Sequence, residues 1–219
     1  MTWCEDQGHR PEGTNPCRKI QRYAETKRER FLQPAELARL GAALDHAATS
    51  HLASEHALAA LRLLILTGAR LSEILTLEWS FVDIDRKALF LPDSKTGKKP
   101  IALSEAAIEV LTALPRYATN PYVIVGHRHG MHLVNLQKPW QSVRTLAKLD
   151  GLRIHDLRHT FASVAVASGG SLPEIGALLG HSQPQTTQRY AHLGNDPVRA
   201  ITERTGRKLV EAMRVKPKA

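Results

Sequence analysis

One stretch of the chain concentrates residues able to do chemistry. His155-Asp156-Leu157-Arg158-His159-Thr160 is followed by Leu178-Leu179-Gly180-His181-Ser182 and then by Arg189-Tyr190. His155 and Arg158 are three apart, so on a helix they share one face. Arginine offers a planar fork to phosphate oxygens. Histidine donates to a phosphate oxygen or moves a proton, and tyrosine is an oxygen nucleophile. Together these types describe attack by a protein hydroxyl on a phosphodiester. No phosphate-binding glycine loop and no metal-ligand signature accompanies them, so no cofactor is expected.

A phosphoryl transition state spreads charge over its equatorial oxygens and needs fixed cations around them. The further cations are expected upstream. Thr67-Gly68-Ala69-Arg70-Leu71-Ser72-Glu73 places a second arginine at a break between two apolar helical runs. A side chain at such a junction can be aimed into a cleft, and Glu73 reads as an anchor for Arg70 or a nearby backbone amide. Ser94-Lys95-Thr96-Gly97 places a lysine at the tip of a hairpin. Taken singly, each residue has a bland explanation: a structural histidine, a surface arginine, a core tyrosine, a lysine guarding a sheet edge.

The elements that must position these groups follow from periodicity and punctuation. Pro34 to Ala47 reads as a helix, with proline in the first turn and Leu37, Leu40 and Leu44 at helical spacing. Ser54 is placed to cap a helix over Glu55 to Leu66, with Leu58, Leu61 and Ile65 on its apolar face. Gly68 breaks that helix and Leu71 to Leu77 resumes it. Ala88 to Pro92 and Lys99 to Leu103 read as a hairpin around the turn Asp93 to Lys98. Ser104 starts a helix running to Leu114, and Tyr122 to Val125 reads as a short strand. Gly126 to His132 is a His-rich segment whose glycines suit a loop better than a metal site. Leu136 to Leu149 is predicted helical, with Trp140, Val143 and Leu146 as a core stripe. Ile154 to Ser168 carries the His/Arg motif with Leu157, Phe161, Val164 and Ala165 inward. Leu172 to Leu179 is a short helix closed by Gly180. Ser182 and Pro184 open the helix holding Tyr190, and Pro197 to Met213 forms a last, weakly amphipathic helix. The fold class is therefore α+β, mainly α, with one small antiparallel sheet.

In order, the candidate site is Arg70, Lys95, His155, Arg158, His181 and Tyr190. This set resembles the tyrosine recombinase (phage integrase) family, whose motifs are an arginine in a TGxRxxE context, a hairpin lysine, HxLRH, LGH and a C-terminal tyrosine. The resemblance covers about residues 15 to 215. It implies the DNA breaking-rejoining enzyme fold and site-specific strand exchange through a 3′-phosphotyrosyl link. It also implies roles: Tyr190 as nucleophile, Arg70 and Arg158 on the non-bridging oxygens, and His181 as a donor to one of them. His155 is then general base or a further phosphate contact, and Lys95 protonates the leaving 5′-oxygen. Expected partners are a double-stranded DNA attachment site and other copies of the chain. The chain is expected to be a monomer in solution and a homo-tetramer on DNA, with accessory directionality or bending proteins as further candidates. The rival readings are a type IB topoisomerase and a non-catalytic DNA-binding remnant.

Composition agrees with a DNA partner. Lys plus Arg is 30 against 21 acidic residues, a formal charge of +9 with pI near 9.8, and such a balance favours polyanions. Residues 1 to 30 are polar, punctuated by Pro11, Gly13 and Pro16. They end in a basic run of Arg18, Lys19, Arg22, Lys27, Arg28 and Arg30. We read them as a basic linker remnant, not a folded unit, ahead of a catalytic domain over 31 to 219. The resemblance implies that this linker lies on DNA and that a separate core-binding domain precedes it in full-length members. Cys4 and Cys17 complete no zinc set. No apolar run reaches spanning length and no signal-peptide pattern opens the chain. The expected compartment is cytoplasmic, the bacterial cytosol or nucleoid, with no membrane partner.

Overall fold

The computed structural model describes residues 2–18, 20–21, 23, 30–92, 99–181, 183–191, 202 and 205–206. Lys95, the turn around it and almost all of the expected helix from Pro197 to Met213 lie outside the described residues. The chain opens with a short helix α1 (Thr2–Asp6), where the sequence suggested only linker. Glu5 accepts the Asn15 amide at 2.6 Å and folds the following turn back onto α1.

Helices α2 (Pro34–Thr49) and α3 (Glu55–Thr67) follow. Proline in the first turn of α2 and the Ser54 side chain accepting from Ala57 at α3 fix their starts. α3 is buried on more than the one face expected, since His56 to Leu61, Leu63 and Leu64 are all inside. Its small alanines allow α2 and three later helices, Glu105–Thr112, Gln137–Leu146 and Ile154–Ala167, to pack around it. α3 stops at Gly68, whose φ of +62 is the left-handed cap that glycine adopts without penalty. α4 (Leu71–Leu75) restarts the chain at a new angle.

A 3-10 turn at Trp79–Phe81 leads into an antiparallel sheet of β1 (Val82–Asp83), β2 (Ala88–Leu91) and β3 (Lys99–Ala102), in that spatial order. Leu89 pairs with Ile101 and both point into the core. α5 (Glu105–Thr112) is capped by Ser104. Tyr122 to Val125 is not a strand: it makes isolated bridges, Glu78 with Tyr122 and Val125 with His132. Its neighbours cross only at single points, so no ladder can propagate. Gly126 to His132 forms a loop, as expected, tightened by Gly126 donating to the Met131 carbonyl at 2.9 Å.

α6 (Gln137–Leu146) buries Trp140 and Val143, but Leu146 is 41% exposed. Steps of three residues drift off a helix face, and Ala147, four after Val143, takes the inward position. α7 (Ile154–Ala167) packs on two cores in turn. Ile154 and Leu157 join the main core, whereas Ala162 and Val166 join a small satellite core with Ile175, Leu179 and Tyr190. The buried face rotates between them, which is why Val164, expected inside, is 47% exposed. α8 (Leu172–Leu179) ends at Gly180, again left-handed with φ +67. α9 (Pro184–Gln188) is short, and Tyr190 lies in the turn just beyond it, not within it.

Candidate active site

Two helix C-termini build the floor of the site. α3 ends at Gly68 and α8 at Gly180, and each leaves terminal carbonyls without an intrahelical donor. The Arg158 guanidinium fills the gap between them. It donates to the Gly68 carbonyl and to the Leu179 carbonyl, both at 2.5 Å. Cations are favoured at helix C-termini, so buried Arg158 needs no carboxylate partner for these two bonds. Burial, and then the charge of Arg70, lower its pKa, with Glu73 opposing.

The residues just past the two glycines are Arg70 and His181. Arg70 opens α4, and Glu73 holds it twice. One carboxylate oxygen accepts the Arg70 amide and the other its guanidinium, both at 2.7 Å. The second Arg70 nitrogen reaches the Gly180 carbonyl at 3.4 Å. His181 Nδ1 is 2.9 Å from the Thr187 hydroxyl, which ties the His181 ring to α9.

α7 supplies the remaining groups. Asp156 accepts the Arg153 amide at 2.8 Å and caps the helix start. Thr160 ties α7 to the chain ahead of α2, accepting from the Leu32 amide at 3.0 Å. His155 keeps an exposed edge, yet partial desolvation and then Arg158 lower its pKa, and Arg189 and Arg70 add to this. Together with Arg158, Arg153, Arg144, Gln137 and Trp140 it lines a cavity of about 370 Å³.

Tyr190 is only 4% exposed, with its ring in the satellite core. Its hydroxyl shares a 2.6 Å hydrogen bond with His159 Nδ1. Burial raises the Tyr190 pKa, opposed by the charges of Arg189 and Arg158. The His159 ring packs edge-to-face against His155, centroids 4.9 Å apart. Burial, then the neighbouring His155 and Arg189, hold His159 down at about 4.

The structure thus sets Arg158 within range of Arg70, His155 and Tyr190, with His181 beside the carbonyl that Arg70 reaches. Lys95 lies outside the described residues. His159 was missed as a site residue. Its position one turn after His155, inside the same motif, was the available signal.

This is the layout of a recognisable class. The chain belongs to the phage integrase family, whose model matches residues 30–196. It is 32% identical over 148 residues to tyrosine recombinase XerD of Rhizobium meliloti, covering 63% of this chain and 47% of that protein. It is 31% identical over 143 residues to tyrosine recombinase XerA of Saccharolobus solfataricus, covering 64% and 46%. The chain therefore spans about half the length of the curated relatives it matches. Among solved structures, a XerA recombinase superposes with TM-score 0.64 at 23% identity, covering 83% of this chain and 66% of that one. The catalytic domain of bacteriophage HP1 integrase gives 0.59 at 24%, covering 80% and 95%. The Tn1549 transposon integrase in complex with transposon right end DNA gives 0.68 at 18%, covering 86% and 71%. The fold is that of tyrosine recombinase catalytic domains. No helix among the described residues is long and apolar enough to cross a membrane.

Proposed function

We propose that this chain is the DNA-cleaving part of a site-specific recombinase or integrase. In this reading it breaks and rejoins double-stranded DNA through a 3′-phosphotyrosyl intermediate, for the integration or excision of a phage or other mobile element. One observation carries the reading: a tyrosine hydroxyl, two arginines and a histidine converge where two helices end, in a chain of the phage integrase family.

The chemistry divides among these groups. The Tyr190 oxygen attacks phosphorus in line, the bond to the 5′-oxygen breaks, and that oxygen leaves as a hydroxyl. Arg70 and Arg158 clamp the non-bridging oxygens, and His181 donates to one of them. Arg158 spends two of its five N–H donors on the Gly68 and Leu179 carbonyls. Those bonds fix its plane, so the remaining donors are preorganised for phosphate. Glu73 does the same for Arg70. His155 serves as general base or phosphate contact, and Lys95, assigned by resemblance, protonates the leaving 5′-oxygen. The new ester conserves the energy of the broken one, so religation needs no nucleotide, and the cationic groups meet the charge without a metal.

The partner is a duplex attachment site, with the basic segment over residues 18 to 30 as a further phosphate contact. Assembly into a homo-tetramer occurs on DNA from monomers in solution, within the bacterial cytosol or nucleoid. The test is a nicked suicide duplex, selected from a pool with a randomised stretch by recovery of covalent protein–DNA adducts. Tyr190→Phe is expected to abolish the adduct and to leave the gel shift nearly unchanged, since only a hydroxyl is lost. An adduct that persists in Tyr190→Phe would move the nucleophile elsewhere.

A further inference from the structure

We infer that His159 is a further catalytic residue, the group whose Nδ1 takes the proton from the Tyr190 hydroxyl as it attacks DNA. This role rests on the reading of Tyr190 as nucleophile. His155 is then left for the phosphate.

The geometry favours His159 over His155. A general base must lie within hydrogen-bond reach of the proton it removes. His159 Nδ1 stands 2.6 Å from the tyrosine oxygen. The Tyr190 ring is held by Ala162, Val166, Ile175 and Leu179, so the direction of its hydroxyl is set by packing. His155 sits one turn earlier on α7, its ring against that of His159, and it opens on the cavity that Arg158 and Arg153 also line.

The electrostatics allow the transfer. Among the described residues, His155, Asp156 and Arg158 on α7, and Arg189 with Tyr190 beyond α9, are the titratable and charged groups around the ring. Burial and the cations keep His159 neutral near neutral pH, so with the ring proton on Nε2 the Nδ1 lone pair is open to the hydroxyl. A base held so low is weak toward a phenol. A DNA phosphate between Arg158 and Arg189 would neutralise two of the charges that depress it, and its basicity would rise as substrate binds. The step balances: the Tyr190 O–H bond breaks, Nδ1 gains the proton, and the tyrosine oxygen bonds to phosphorus. The 5′-oxygen leaves with a proton from the general acid. On religation Nδ1 returns its proton to the tyrosine.

The same contact invites a different use, a latch that parks Tyr190 until DNA arrives, and the two uses predict opposite signs. The experiment measures single-turnover cleavage of the enriched nicked duplex against pH for wild type, Tyr190→Phe, His159→Asn and His159→Leu. Asparagine leaves an oxygen near the Nδ1 position to hold the hydroxyl but cannot carry its proton. Both His159 variants are expected to lose about 10²–10⁴-fold, to lose the acid limb of the wild-type profile, and to recover at high pH where the phenol ionises unaided. A His159→Asn rate and profile equal to wild type would reduce the residue to positioning and overturn the inference. A His159→Leu variant faster than wild type would establish the latch and overturn it equally. Melting curves and gel shifts on each variant separate lost chemistry from lost fold, and His159→Gln replaces any variant that melts early. Adducts formed by Tyr190→Phe would sink the underlying reading. Adducts lost there but retained at full rate in the His159 variants would sink only the role of His159.

Discussion

Arg158→Ala is expected to unfold the protein earlier, apart from any effect on DNA. Two buried carbonyls, at Gly68 and Leu179, accept from this one guanidinium. Hydrogen bonds to a charged group contribute about 1.5–3 kcal/mol each, so the pair is worth roughly 3–6 kcal/mol gross. Against this, alanine removes a buried cation that Arg70 repels, and part of the burial cost is recovered. A net loss of about 3 kcal/mol follows. For a chain of this size each kcal/mol moves the midpoint by about 2–4 °C, so Tm falls by roughly 6–12 °C. Arg158→Lys keeps the charge, but a single ammonium cannot fork across both carbonyls, and an intermediate fall is expected. The assay is a DNA-free thermal melt followed by circular dichroism. A Tm for Arg158→Ala within about 2 °C of wild type would show that the arginine does not join the two helix ends. Activity lost in the same variant would then be purely chemical.

Two further outcomes follow from the same geometry. Gly68→Ala should destabilise by at least about 1 kcal/mol, because φ there is +62 and an added Cβ would stand 2.4 Å from the Phe161 ring; a melt matching wild type would refute this. Glu36 accepts from Arg30 at 2.6 and 2.8 Å, which, with the Gln33 amide, lowers its pKa from 4.5 to about 2. A depressed carboxylate contributes stability that is present above 4.5 and lost as pH falls toward 2. Glu36→Gln should therefore melt lower than wild type near neutral pH and converge with it in acid, and parallel curves across that window would contradict the pairing.

Local rules reached much of the fold. Ser54, Ser104, Pro34, Gly68 and Gly180 act within one turn of where they stand, so capping and termination were legible residue by residue. The anchoring of Arg70 by Glu73 was legible for the same reason, since a carboxylate three residues into a helix reaches back to its first amide. Packing between distant segments was not. Val164 and Leu146 have the right residue type for the core, but the face α7 buries changes along its length, and steps of three carry Leu146 off the buried face of α6. Tyr190 reads as a helix residue until α9 stops at Gln188. Its contact with His159 spans 31 positions, and only the docking of α8 on α7 and of α9 on α8 creates it. The fork of Arg158 between two helix ends is likewise a product of topology, although two glycine stops followed by Arg70 and His181 mark where it falls.

The most direct measurement is the chemical identity of the covalent link. The adduct with the enriched nicked duplex is trimmed by nuclease, digested with protease and sequenced by tandem mass spectrometry. The nucleotide mass is expected on Tyr190, carried through a phosphodiester to a 3′-oxygen, with a free 5′-hydroxyl on the other fragment. The same mass on Tyr122, on a serine or on a histidine, or a 5′-linked nucleotide, would contradict the assignment of Tyr190 as the group that cuts DNA.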